Sequence, residues 1–116
     1  MKTTKAHFKL FADEAKRCVS RWGLNDWDVS CYHMPLQDGR LAETRTQGRP
    51  AIAMVVLNTE WNDPISAEEL RKTARHEVTH ILLGRLTGMA HERFVQEEEV
   101  IACSEQTVNR LERLLP

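Results

Sequence analysis

The sequence predicts a single α+β domain, a small antiparallel three-stranded sheet flanked by three helices. Three observations predict it. Apolar residues recur at helical spacing near both ends of the chain and in a long stretch between them, while the region from 27 to 57 holds alternating or unbroken apolar runs of strand length. The 116 residues suffice for one hydrophobic core but not two, so residues 1–116 form one domain.

Phe8, Phe11, Ala12, Ala15, Cys18, Val19 and Trp22 follow the i, i+3, i+4, i+7 pattern, and Gly23 stands where a C-terminal cap belongs. A first helix over about 4–22 follows, with Lys9, Asp13, Glu14, Lys16 and Arg17 mainly on its solvent face. From Trp27 to His33 apolar and polar residues alternate, the period of a half-buried strand that Pro35 ends. Asp38-Gly39 is a strong hairpin signal, so a second, polar and exposed strand is expected near Arg40 to Thr46. Gln47-Gly48-Arg49-Pro50 reads as a loop. The unbroken run Ala51 to Leu57 is expected to be the buried strand nearest the central helix.

Asn62-Asp63-Pro64 breaks the chain, and Ser66 with Glu69 forms a capping box that starts the second helix. Leu70, Ala74, Val78, Ile81 and Leu82 make its core stripe, Gly84 weakens it late, and Thr87-Gly88 ends it. A third helix spans about Phe94 to Leu115 as a core helix built on Val95, Val100, Ile101, Val108, Leu111, Leu114 and Leu115. Acids crowd its first turns and arginines its last, as the helix dipole favours.

A net charge of −1 leaves no basic footprint for nucleic acid and no field that would draw the chain to a membrane surface. The polar, basic start of the chain is neither a secretory signal nor a membrane span, so a cytoplasmic protein is expected. Cys18, Cys31 and Cys103 are odd in number and widely spaced, which suits free thiols in a reducing compartment.

The chemistry concentrates in His76-Glu77-Val78-Thr79-His80. Histidines at i and i+4 lie about one turn apart on one helix face, so both imidazoles can reach a single zinc ion. Glu77 points about 100° around the helix, beside the metal rather than onto it. That placement suits a general base for a water whose pKa zinc lowers to about 7. His33, next to a turn, is expected to be solvated.

Catalytic zinc usually has three protein ligands plus water, so a third must follow the helix. The metzincin pattern does not apply, because Leu83 and Leu86 stand where it needs Gly and His. Glu105 begins the run Glu105-Gln106-Thr107-Val108-Asn109-Arg110-Leu111, which resembles the third-ligand helix of gluzincins, where Asn109 would support a motif histidine. Glu105 is therefore the expected ligand. His91, in His91-Glu92-Arg93-Phe94, is the alternative by resemblance to SprT-like zinc proteases, although Glu92 replaces the glycine common after that histidine. Glu97, Glu98 and Glu99 are further candidates.

With these residues placed, the chain resembles the small zincin-like metallopeptidases of bacteriophages and prophages, a likeness that covers nearly its full length but is specific only at 76–80. The resemblance implies a minimal zincin-like core, Zn2+, a peptide or protein substrate and the bacterial host cytosol. In zincins a strand near the site helix also offers its free edge to extended substrate. The expected function is zinc-dependent peptide hydrolysis with Glu77 as general base. The alternatives are a zinc-stabilised, catalytically silent binding or assembly module and a metal-free helical interaction protein.

Overall fold

The computed structural model describes residues 1–47, 50–92 and 94–112. The element order is α1 (Lys5–Arg21), β1 (Asp28–Met34), β2 (Ala42–Gln47), β3 (Ile52–Asn58), α2 (Ala67–Ala90) and α3 (Glu97–Glu112). The α+β class, three strands and three helices agree with the sequence reading. Gly48 and Arg49, and the 113–116 end of the expected third helix with Leu114 and Leu115, lie outside the described residues. No helix among the described residues is long and apolar enough to cross a membrane.

The sheet is mixed rather than wholly antiparallel. Its order is β1-β3-β2, with β3 parallel to β1 and antiparallel to β2. The expected hairpin between β1 and β2 does not form, although Asp38 and Gly39 do turn the chain, with φ of 62° and 68°. The cause is β3. A continuous apolar strand needs a partner on each side and cover on both faces, so it takes the centre and leaves the polar β2 at an edge. Ala53, Val55 and Leu57 turn one face of β3 into the helical core, and Val56 on the other face is also fully buried.

The chain leaving β1 must therefore pass β3 to reach β2, and Asn58 holds that crossing. Only 2% exposed, its side-chain oxygen accepts from Leu36 N at 3.0 Å and its amide donates to Arg40 O at 2.6 Å. The Trp61 indole donates to Leu41 O at 3.0 Å beside it. Removing a buried hydrogen-bonding group strands its partners at about 1–3 kcal/mol. Asn58→Ala is expected to lower unfolding stability by about that amount, read from the urea midpoint.

Helix α1 starts at Thr4, whose hydroxyl accepts from His7 N while His7 Nδ1 accepts from Thr4 N, and it ends before Gly23 at φ 65°. Phe11, Ala15 and Cys18 meet Leu70, Ala74, Val78 and Ile81 of α2 in one core. Glu14 departs from the expected solvent face. It is 6% exposed and bonded to Arg17 at 2.7 Å, with Arg75 of α2 at 3.8 Å. All three cysteines are free thiols.

Helix α2 begins at the expected Ser66 cap, its Oγ accepting from Glu69 N at 3.1 Å as one half of the expected capping box, but continues past Thr87-Gly88 to Ala90. Buried Met89 anchors the last turn, and that burial outweighs the roughly 1 kcal/mol that a helical glycine costs. Gly84 is needed for packing rather than being a weak point. A Cβ there would lie 3.2 Å from Trp27 Cη2 and 3.3 Å from Thr46 Cγ2, so its absence lets β2 approach the helix closely.

Helix α3 is not the expected core helix. It docks through Cys103 and Thr107, with Arg85 of α2 donating to Gln106 at 3.3 Å and Arg110 to Asp26 at 2.7 Å. These polar ties fix its rotation and leave Val100, Ile101, Val108 and Leu111 exposed.

Candidate metal centre

The two motif histidines follow from helix geometry. Residues four apart stack on one face, and α2 turns that face to an open cleft between itself and β2. His76 Nε2 and His80 Nε2 lie 3.3 Å apart, with the rings edge to face. Two nitrogens each about 2.0–2.1 Å from one tetrahedral zinc would be separated by about 3.3–3.4 Å, so the pair already has the spacing of one edge of such a site. The same spacing allows one ring to donate an N–H to the other.

Glu77 sits beside this pair and is only 6% exposed. Its Oε1 accepts from the Thr44 hydroxyl at 2.7 Å, and its backbone carbonyl lies 3.2 Å from the same oxygen. A buried carboxylate ordinarily has a charged or multiply hydrogen-bonded environment, yet this one has a single hydroxyl and no ion-pair partner among the described residues. A cation in the adjacent cleft would compensate it. The imidazole spacing and the carboxylate beside it both fit a divalent ion.

The cleft encloses about 390 Å³ and is lined by Thr44, Thr46, His76, Glu77, His80 and Gly84, among others. A second lobe of about 400 Å³, bordered by Leu41, Lys72 and Thr73, continues it past His76 and Glu77. The wall facing the helix is β2, through Thr44 and Thr46, and not β3 as the apolar run suggested. β2 is exposed as expected only from Arg45 to Gln47, since Leu41 to Thr44 are half-buried. Thr44 was missed by sequence reasoning. Its signal lay in the small residues Ala42, Thr44 and Thr46 on alternate positions, a strand face able to accept a close helix.

The expected third ligand is not gathered into the site. Glu105 is exposed on α3, which binds the flank of α2 marked by Arg85. Nine residues of helix place Arg85 about 180° around from His76, so α3 lies behind the site helix. Asn109 is exposed on α3 as well, and His91 caps the far end of α2. Glu97 and Glu98 are exposed in the first turn of α3, where Glu99 is half-buried. Glu43, the other acid lining the cleft, is held by Arg40 at 3.2 Å and Arg45 at 2.9 Å. Among the described residues no three His, Cys, Asp or Glu side chains form a group able to hold a metal.

His33 is half-buried away from the cleft rather than solvated. Its Nε2 lies 2.7 Å from Thr3 Oγ1 and its ring stacks on Phe8 at 5.2 Å. Burial, then the neighbouring His7, push its pKa below the usual histidine value. Compared with known proteins, the chain matches no family model, no curated protein and no solved structure.

Proposed function

We propose that the chain is a zinc-dependent peptidase in which His76 and His80 hold the ion and Glu77 is the general base. One observation carries this reading: two convergent imidazoles and a buried carboxylate share the wall of an open cleft. When bound, zinc supplies the Lewis acid that polarises the scissile carbonyl and acidifies the attacking water. Glu77 takes the proton from that water and returns it to the departing amine, while the Thr44 hydroxyl fixes the direction of its carboxylate. An extended peptide fits the outer edge of β2, which no other strand of the three-stranded sheet covers among the described residues, where main-chain hydrogen bonds would lay it along the cleft. A peptide or protein substrate in the bacterial cytosol is the setting that the sequence resemblance suggests.

The third protein ligand is the open part of the site. For Glu105 to serve, α3 would have to leave its seat on the Arg85 flank. Glu105→Ala is therefore expected to retain the wild-type zinc affinity, measured by competition with a chromogenic chelator. Loss of zinc in that variant would place Glu105 on the metal and require α3 to move. Hydrolysis of an unstructured protein such as casein by zinc-loaded protein, abolished by chelation and restored by zinc, tests the activity itself.

The donor set of two among the described residues also favours a second reading, a zinc-stabilised binding or assembly module without catalysis. It predicts that zinc raises the melting temperature while casein stays intact.

A further inference from the structure

The exposed side of α3 carries more order than a scattered surface. Ile101 and Val108 are separated by seven residues, as are Ser104 and Leu111, which gives an a and d seam with β-branched residues at a and leucine at one d. That spacing turns one stripe of the helix, Ile101, Val108 and Leu111, toward any second helix laid along it. The seam is uncovered: Ile101 is 55% exposed, Val108 45% and Leu111 43%. The helix meets α2 instead through Cys103 and Thr107, on the adjacent side.

Charge decides what can cover it. Glu98 and Glu105 occupy successive e positions along one border of the seam, both exposed, and Glu97 stands at its N-terminal end. Arg110, the base of the α3 segment, is turned away, 11% exposed and bonded to Asp26. Among the described residues, a second copy of this helix would bring no base to these acids other than the engaged Arg110. Antiparallel self-pairing would set the Glu98 and Glu105 rows against each other, and parallel self-pairing would set them against Val100 and Thr107, the latter already buried.

We infer that the exposed seam of α3 docks an amphipathic helix of another protein, one with aliphatic residues at its own a and d positions and Lys or Arg opposite Glu98 and Glu105. The surface lies behind the site helix, so a partner can sit there while the cleft stays open. This assignment also gives Glu105 a role as a recognition charge at an interface.

The test uses the full chain and a designed peptide of about three heptads with Ile at a, Leu at d and Lys at e and g, compared with a twin carrying Glu at e and g. Fluorescence anisotropy at low salt is expected to show the Lys peptide binding at least tenfold more tightly than the Glu peptide, with the difference shrinking as salt rises. Ile101→Asp with Val108→Asp is expected to remove binding. Both positions are exposed, so an unchanged melting temperature checks the fold. Glu98→Lys with Glu105→Lys is expected to reverse the preference between the two peptides. Equal binding of both peptides, binding that survives the aspartate pair, or a dimer in sedimentation that the aspartate pair dissociates would each overturn the inference.

Discussion

Glu77→Gln is expected to reduce peptide hydrolysis by about 10²–10⁴-fold, the range that a positioned general base contributes, while zinc affinity stays at the wild-type level. The glutamine has nearly the same shape and can still accept from the Thr44 hydroxyl, so the cleft wall should not move. It cannot take a proton. The His76 and His80 nitrogens are untouched by the change, which is why metal retention and loss of turnover should separate cleanly. The variant keeps the volume of the side chain and its contact with Thr44, so the fold of the metal-free protein is expected to hold. A variant that hydrolyses casein at the wild-type rate would remove Glu77 from the chemistry.

Gly84→Val should act on the architecture that makes the cleft. Its side chain would enter space already held by Trp27 and Thr46, where even a Cβ meets atoms at 3.2 and 3.3 Å. Overpacking of this kind costs about 1–3 kcal/mol, seen as a lower urea midpoint. The displaced partner is the strand that carries Thr44, so activity should fall further than the loss of folded protein explains. Gly84→Ala is the milder control. Relief of the glycine penalty in a helix, about 1 kcal/mol, works against its tight contacts and leaves a small net change. A valine variant with wild-type stability would mean that β2 is not seated on the helix at this point.

The helices and the motif were legible in the sequence because their determinants are local. Helical spacing, the Ser66 cap and Gly23 each act within a few residues of one another, and His76 and His80 share a face whatever surrounds them. Strand partners are not local. The turn at Asp38-Gly39 formed, yet the apolar demand of β3 for two neighbours overrode the hairpin that the turn announced, and a parallel pair resulted. The same limit explains α3. Periodicity shows that Ile101, Val108 and Leu111 share a face, but not whether that face meets the core, and the ties from Arg85 and Asp26 turned it outward. Glu105 went with it, because a ligand expected from the resemblance of a local run to a known helix depends on how that helix is rotated in this fold. Thr44 was invisible for a related reason: its role comes from the close seat of β2 that Gly84 permits forty residues later.

The reading of the cleft rests on an ion between the two motif histidines. Zinc titration of the purified, chelator-treated chain, followed by competition with a chromogenic indicator, addresses this directly when His76→Ala and His80→Ala are run beside it. The expected result is one zinc per wild-type chain and none held by either variant at the same free metal concentration. A wild-type chain that binds no zinc, or variants that bind it as well as wild type, would contradict the account and leave the 3.3 Å contact as a hydrogen bond between two imidazoles.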